Sequence, residues 1–397
     1  MKVEEFAVFQ NEFEEFHQRF AKVYARPATR VQGAKYLRGL LSQVERKNAW
    51  QMAEALGDKD PDKTQRLMFL SVWKADAARD LLQKYVIDEM YDEDAIWILD
   101  ETGFLKKGMK SAGVSRQYSG TAGKIDNCQI GTFLAYASAL GCVLIDRRLY
   151  LPKVWTDDKN RRQEANIPDA VEFETKPTQA VQMLQHALKC GVPMRWVTGD
   201  EVYGNTSALR DAIANAGKEY VLAVSSSTLV QPVEPEMLEK RAPLDAAKEA
   251  TWVVSEVLQA VKQWERLSVS AGEKGPIIYD WAVIQIHEQV AGERGRAGWL
   301  LIRRSVSNPS EVAYYLSNAQ INTSASTLAR VASARYKVEM AFEQAKGETG
   351  LDHYEVRHHH SWYRHITLSM MALAFLVVMR GRVIQASQGA VQKKRAR

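Results

Sequence analysis

Two aspartates follow short apolar segments that have the character of β-strands. Asp100 ends the segment AIWILD and begins the turn-like sequence DETG, and Asp200 ends MRWVTGD. Carboxylates at the carboxyl ends of neighbouring strands can converge on one point, and their oxygens are ligands that Mg²⁺ accepts in proteins. Taken alone, an aspartate after a strand is more often a turn former or a helix cap. A metal site therefore needs support from a further carboxylate.

A third carboxylate, Glu339, lies in the helical segment ASARYKVEMAFEQAKGE. At about 100° per residue, Arg335, Glu339 and Lys346 fall on one polar stripe along the margin of the apolar face. An Arg–Glu pair spaced i,i+4 is common on exposed helices, but it does not require Lys346 on the same stripe two turns later. Glu343 lies further from the stripe and is the alternative carboxylate.

The surrounding pattern predicts the elements that must bring these residues together. From residue 95 to residue 226, three strand segments are followed by a helix, a strand, a helix and a strand. This order predicts an α/β fold with a mixed sheet flanked by helices. Two further helices, at about 324–347 and 361–380, close this core, and the first of them carries Glu339.

The remaining segments predict the domain organisation. Apolar residues recur at helical spacing in the first 93 residues, and the sequence from Gly57 to Pro61 separates two helical stretches. A helix-turn-helix and a simple helical bundle both account for this pattern. The predicted division is an N-terminal helical DNA-binding domain (1–93), a catalytic core (94–226 and 319–380), a β-rich insertion (227–318) and a basic C-terminal tail (381–397).

Positive charge is clustered, although the net charge of +5 is modest. The clusters are residues 26–47, residues 104–124 with Lys106 and Lys107, and the chain after Glu355, which has eight basic residues and no acidic one. Such clusters attract polyanions by releasing counterions from phosphates. A solvated surface is the alternative for any single cluster, but the three together favour a nucleic acid partner.

Cysteine usage and hydropathy indicate a cytoplasmic protein. Cys128, Cys142 and Cys190 have no paired spacing, which is typical of buried apolar residues in a reducing compartment and not of a disulfide framework or a zinc site. The acidic N-terminus has no hydrophobic core of an export signal. The longest apolar run, Ile366–Met379, is shorter than the roughly 18 residues that a membrane span needs, and predicts a buried helix.

The chain resembles insertion-sequence transposases of the DDE type. These proteins share a helix motif of Tyr, two residues, Arg, three residues, Glu, six residues and Lys, and Arg335, Glu339 and Lys346 match it, whereas Ala332 stands at the Tyr position. Further similar segments are ILDETGFLKKG, LIDRRLYLPKVW, VTGDEVYG and GLDHYEVR. The resemblance covers most of residues 95–380 and is to the insertion-sequence-seven-oh-one-like group.

The resemblance implies a ribonuclease-H-like core in which Asp100, Asp200 and Glu339 are the catalytic residues and ligands of two Mg²⁺ ions, with Mn²⁺ as a substitute. It implies metal-dependent strand cleavage and strand transfer at the inverted terminal repeats of an insertion sequence. The phosphate-binding residues are expected to be Arg335, Lys346, Lys106 and Lys107.

The expected partners are double-stranded transposon ends and target DNA, bound by a homodimer in the prokaryotic cytoplasm at the nucleoid, without a membrane. A metal-dependent nuclease without strand transfer and a non-catalytic DNA-binding descendant are the alternatives. Related enzymes stack a flipped base on an aromatic residue of the insertion. For each candidate, core packing is the alternative; the candidates are Trp252, Trp264, Trp281 and Trp299.

Overall fold

The computed structural model describes residues 3–233, 251–272, 275–290 and 293–395. Residues 234–250 of the predicted insertion and the last two residues of the predicted basic tail lie outside the described residues. Within residues 3–93 the elements are helices, as predicted. The helices are α1 (Val3–Arg19), α2 (Pro27–Leu40), α3 (Ala49–Ala55), α4 (Asp62–Phe69), α5 (Ala75–Met90), α6 (Lys153–Thr156), α7 (Lys159–Glu164), α8 (Lys176–Lys189), α9 (Glu201–Gly204), α10 (Ser207–Asn215), α11 (Val254–Ala260), α12 (Ala325–Ser333), α13 (Tyr336–Thr349) and α14 (His359–Arg395).

The strands form one mixed sheet. They are β1 (Ile96–Leu105), β2 (Ser115–Ser119), β3 (Lys124–Ser138), β4 (Gly141–Tyr150), β5 (Trp196–Gly199), β6 (Glu219–Val224), β7 (Leu229–Pro232), β8 (Trp252–Val253), β9 (Glu265–Gly272), β10 (Gly275–Val290), β11 (Glu293–Ser305) and β12 (Val312–Ser317).

The first part of this sheet has the order β4-β3-β1-β5-β6. β4, β3 and β1 are antiparallel neighbours, whereas β5 and β6 run parallel to β1. Helices cover both faces, because adjacent residues of β3 point to opposite faces, and Thr132 contacts Gln179 of α8 whereas Phe133 contacts Phe342 of α13. This strand order and direction confirm the α/β, ribonuclease-H-like mixed sheet that the sequence predicts.

The strands of the predicted insertion continue the same sheet. β12 pairs antiparallel with β6, and β11 and β10 follow in order. β9 and β7 both pair with β10, and β8 pairs with β7. The strand-like runs expected in this region are therefore strands, and the boundaries between domains remain predictions.

β1 is longer than the sequence indicates. The prediction that Asp100 ends a strand is wrong, because β1 continues to Leu105. The reason is that the two neighbours of β1 have different lengths. The parallel pairing with β5 stops at Leu99, but the antiparallel pairing with β3 continues until Leu105 meets Cys128.

The helix expected at 324–347 is two helices, α12 and α13. Around the junction, backbone hydrogen bonds span three residues, from the Ala334 N–H to the Val331 carbonyl and from the Lys337 N–H to the Ala334 carbonyl. Such bonds tighten the turn and interrupt the α-helical ladder. Arg335 itself keeps helical backbone angles, so the side chains after the junction still follow the helical spacing.

The second closing helix, α14, is longer than the predicted 361–380 and extends to Arg395. By length and composition it could cross a membrane, but most of its apolar stretch is buried inside the protein. The helices α2, α4 and α5 contact it from the N-terminal region. The apolar run at Ile366–Met379 is therefore the centre of a buried helix, as predicted.

A buried histidine on α14 connects three elements. The Nε2–H of His365 donates to the carbonyl of Gly350, which ends α13, at 2.9 Å. Because that nitrogen is the donor, Nδ1 accepts the hydrogen bond from the Tyr36 hydroxyl on α2, at 2.7 Å. Burial, together with nearby cations, lowers the pKa of His365 to about 3, so the ring is neutral in the folded chain.

We expect acid to destabilise the protein through His365. The unfolded chain takes up this proton below about pH 6.5, whereas the folded chain takes it up only near pH 3, so this contribution is complete above pH 6.5 and is lost on acidification. It adds up to about 1.4 kcal/mol per pH unit to the slope of the free energy of unfolding. Urea denaturation at a series of pH values should give a smaller slope for His365→Gln. An unchanged slope would contradict the assignment.

A second prediction concerns the contact between α9 and β6. A Cβ placed on Gly204 would lie 1.8 Å from the carbonyl oxygen of Ala223, whereas one on Gly347 of α13 would meet nothing within 4 Å. Gly204→Ala should therefore lower the free energy of unfolding by about 1–3 kcal/mol. The control Gly347→Ala should be neutral or stabilising by about 0.5–1 kcal/mol. Urea denaturation of both variants tests the packing, and equal stabilities would refute it.

Candidate active site

The register of two parallel strands places two aspartates side by side. The last pair in the parallel ladder of β1 and β5 is Leu99 with Gly199. The next residue on each strand is an aspartate, Asp100 on β1 and Asp200 directly after β5. The convergence that the sequence predicts for these two carboxylates is therefore a direct result of strand pairing.

Asp100 is buried, with 7% of its surface exposed. Its Oδ1 accepts a hydrogen bond from the Glu101 N–H at 2.8 Å, and its Oδ2 accepts one from Arg335 at 3.1 Å. Burial and the nearby carboxylates of Asp200 and Glu101 outweigh the opposing effect of Arg335 and raise the pKa of Asp100 to about 7. The site thus holds several carboxylates close together where little water reaches them.

Asp200 combines two roles. Its Oδ1 accepts a hydrogen bond from the Val202 N–H at 2.9 Å and so caps α9. Burial and the Glu101 carboxylate raise the pKa of Asp200. The helix cap, which is the common role of an aspartate in this position, therefore coexists with a place in the acidic cluster.

The third predicted carboxylate, Glu339, lies on the far side of an arginine. Arg335, beside the first turn of α13, contacts Asp100 through Nη1 at 3.1 Å and Glu339 through Nη2 at 2.5 Å. Burial opposes the charge on Arg335, but the three carboxylates of Asp100, Glu339 and Asp200 raise its pKa. The half-exposed Glu339 is thus linked to Asp100 through the guanidinium group, and among the described residues no ion pair of Arg335 reaches Asp200.

Glu101, to which no sequence pattern pointed, joins the acidic cluster. Oxygens of Asp100, Glu101 and Asp200 all lie within 4.8 Å of one another. Both oxygens of Glu101 already have partners, since Oε1 contacts Lys176 at 2.5 Å and Oε2 accepts from the Tyr203 hydroxyl at 2.7 Å. Alternation along a strand argued against Glu101, because it places neighbouring residues 100 and 101 on opposite faces.

The predicted basic residues occupy different surroundings. The Lys346 ammonium donates to the hydroxyl groups of Thr102 at 2.8 Å and Thr121 at 3.0 Å, so it lies beside β1 beyond the acidic cluster. Lys107 is exposed. Lys106 instead packs its ammonium 3.5 Å from the centre of the Tyr354 ring, and burial lowers the pKa of Lys106 to about 8.

A cleft of about 370 Å³ opens beside the acidic cluster, where the strands of the predicted insertion meet α12 and α13. Ala332, which stands at the Tyr position of the family motif, lines it, and the exposed Tyr336 lies nearby. Among its other lining residues are Asp200, Arg335, Tyr279, Tyr315 and Arg303.

The aromatic lining of this cleft consists of tyrosines. Of the tryptophans considered from the sequence, Trp281 is buried, and the other three pack against the hydrophobic core, where they are partly buried. Within the described ranges, none of the four lines the cleft. Core packing therefore accounts for these four tryptophans.

The donor atoms fit a hard divalent cation. The clustered ligand atoms are carboxylate oxygens, which suit Mg²⁺. Burial and the neighbouring carboxylates raise the pKa of both Asp100 and Asp200, so added positive charge at this place would stabilise their ionised forms. A cation held between the two aspartates would supply that charge. Arg335 is the positive group that now approaches Asp100 most closely among the described residues.

Comparisons with known proteins identify a family. Residues 15–276 match the family model described as DDE superfamily endonuclease. The probable transposase for insertion sequence element IS701 of Microchaete diplosiphon is 22% identical over 328 residues, which cover 82% of this chain and 77% of that protein.

A solved piggyBac transposase, from a synaptic complex with hairpin DNA, is 11% identical, with a TM-score of 0.36 over 88% of this chain. This chain spans 64% of the length of that transposase. The ribonuclease-H-like fold of this chain follows from the order and direction of its strands. The family match covers both aspartates of the site, and it confirms the prediction of a DDE-type enzyme. The chain belongs to the DDE superfamily of endonucleases.

Proposed function

We propose that the protein is a DNA transposase that cuts and joins strands at the inverted terminal repeats of an insertion sequence. The observation that carries this proposal is the position of Asp100 and Asp200 immediately after the last pair of the β1–β5 ladder, with Arg335 connecting Asp100 to Glu339. The family match and the similarity to a probable transposase support the same chemistry.

Asp100, Asp200 and Glu339 are the proposed ligands of two Mg²⁺ ions, for which Mn²⁺ substitutes. When bound, the ions activate the attacking oxygen and stabilise the negative charge on the leaving oxygen. The protein contributes the fixed positions of the carboxylates. Asp100 and Asp200 are held by strand pairing, and Glu339 is carried by the first turn of α13. Glu101 supports the site through its bonds to Lys176 and Tyr203.

Arg335 has a second role in this proposal. Its guanidinium group lies between Asp100 and Glu339 and offsets their repulsion. A DNA phosphate at the site would compete for the same planar group, because arginine binds phosphate through two parallel hydrogen bonds. Arg335 would then pass from the carboxylates to the phosphate next to the cleaved bond, and the carboxylates would become available for cations.

The proposed partner is double-stranded DNA, both transposon ends and target. Lys346 lies beside β1, the strand that carries Asp100. Lys106 and the exposed Lys107 directly follow the end of that strand. These three lysines would contact phosphates beside the cut. The N-terminal helices are the proposed DNA-binding domain. We propose that a homodimer holds the two ends and that it works at the nucleoid in the cytoplasm.

The three proposed ligands should each be required for cleavage. Asp100→Ala, Asp200→Ala and Glu339→Ala should reduce cleavage of the DNA ends that flank the gene by at least about 10²-fold, while binding to those ends is largely retained. A gel assay of cleavage with Mg²⁺ and a gel-shift assay of binding give the two readouts. Circular dichroism checks that each variant folds.

The matched control is the exposed Glu343 on the same helix. Glu343→Ala should cut at the wild-type rate. Normal cleavage by Glu339→Ala together with loss in Glu343→Ala would reverse the assignment of the third ligand. Loss of cleavage in Glu101→Gln with normal activity in Glu339→Ala would instead place the third ligand on β1.

Strand joining distinguishes a transposase from a nuclease. With Mg²⁺, the purified protein should join a pre-cut end that has a free 3′ hydroxyl to a supercoiled plasmid. The same end with a 3′ deoxy terminus should not be joined, because the attacking oxygen is missing. Cleavage of an intact end without any joined product would favour the nuclease, and end binding without cleavage would favour the non-catalytic DNA-binding protein.

A further inference from the structure

A second cluster of metal-binding side chains lies between α5 and α8. It consists of Asp80, near the start of α5, and of His186 and Cys190 at the carboxyl end of α8. One ligand atom from each residue lies within 4.8 Å of the others. Lys176 at the opposite end of α8 contacts Glu101, so the 14-residue helix separates this cluster from the acidic site by about 20 Å.

The ligand atoms are already close to the spacing of a tetrahedral site. His186 Nε2 lies 2.8 Å from Asp80 Oδ1 and 3.3 Å from Cys190 Sγ. Zinc bonds of about 2.0–2.1 Å to nitrogen and 2.3 Å to sulfur separate neighbouring ligands by roughly 3.4–3.6 Å. Small shifts of these side chains would therefore admit a cation in the middle.

The geometry does not suit nucleophilic catalysis by the thiol. In a Cys–His–Asp relay, the thiol and the carboxylate contact different ring nitrogens. Here both contact the same Nε2 of His186. Atoms that converge on one point in this way match three ligands around a shared cation.

The charges around Asp80 leave one of its carboxylate oxygens available to bind a cation. Asp80 Oδ1 also accepts a hydrogen bond from Arg79 Nε at 2.6 Å, but the guanidinium of Arg79 is itself paired with the buried Asp146 at 2.8 Å. Within the described part of the chain, Asp80 Oδ2 has no hydrogen-bond partner, and Asp80 is exposed. Asp80 can therefore coordinate through Oδ2 while Oδ1 keeps its contact with Arg79. The contact of Oδ1 with His186 is given up, because Nε2 must lose its proton to bind the ion.

We propose that Asp80, His186 and Cys190 bind one Zn²⁺ ion, with water in the fourth position. The spacing of i,i+4 on α8 presents His186 and Cys190 on the same face, and thiolate with imidazole selects zinc over magnesium. The ion connects α5 of the N-terminal helices to α8, which packs on the sheet. Zinc sites are usually found in a sequence by closely spaced pairs of cysteines. This site has a single cysteine, and Asp80 lies 106 residues before His186, so no such pattern marks it.

Cobalt is the spectroscopic probe for this site. The full-length protein, freed of metal by a chelator, is titrated with Co²⁺ in excess Mg²⁺, which saturates oxygen-only sites. We expect one equivalent of Co²⁺ to produce a thiolate-to-cobalt charge-transfer band, and Zn²⁺ to abolish it. The band should disappear in Cys190→Ser and persist in the control Cys142→Ser, which removes another partly buried thiol.

One further variant and one further measurement control for loss of folding. Asp80 is exposed, so Asp80→Asn should keep the fold and weaken Co²⁺ binding by at least about 10-fold. Zn²⁺ should raise the Tm of the wild-type chain but not that of Cys190→Ser. Absence of a thiolate band in the wild-type protein, its persistence in Cys190→Ser, or wild-type affinity in Asp80→Asn would each overturn the proposal. Because Mg²⁺-dependent cleavage is not a readout, failure here would leave the proposed function intact.

Discussion

The register of β1 against β5 is the constraint on which the acidic site depends. Parallel pairing ends at Leu99 and Gly199, so the next residue of each strand projects beyond the ladder at the same level. Both of these residues are aspartates, and because they are buried, water does not screen the repulsion between their charges. A one-residue shift of β5 would turn the second carboxylate to the other face of the sheet. Strand pairing, and not a flexible loop, therefore positions the two aspartates.

The electrostatic consequence is that the acidic cluster requires a positive partner. The carboxylates of Asp100 and Asp200 repel each other, and their pKa values are raised. Arg335 reduces this repulsion by pairing with Asp100, and it pairs with Glu339 as well. The junction of α12 and α13 places Arg335 directly before the first turn of α13. The same short segment thus carries both the arginine and the third carboxylate.

Much of this arrangement was predictable from sequence, for identifiable physical reasons. Short apolar runs ending in aspartate predicted β1 and β5, and the helical spacing placed Arg335 and Glu339 on one stripe. The extension of β1 to Leu105 was not predictable, because it depends on the length of β3 in a distant part of the chain. Likewise, the apolar periodicity continues through the α12–α13 junction, so it gives no sign of the break. Glu101 was missed because its partners, Lys176 and Tyr203, are only brought to it by the fold.

The continuity of the sheet has a consequence for dividing the protein into parts. β6 completes the ribonuclease-H-like order, yet its outer edge is covered by β12, which lies about ninety residues later and follows the whole β-rich segment. A fragment that stops after β6 would expose a row of unpaired backbone N–H and C=O groups. Such an edge recruits strands from other copies of the chain. By covering this edge, the β-rich segment also protects the chain from aggregation, independently of any contact with DNA.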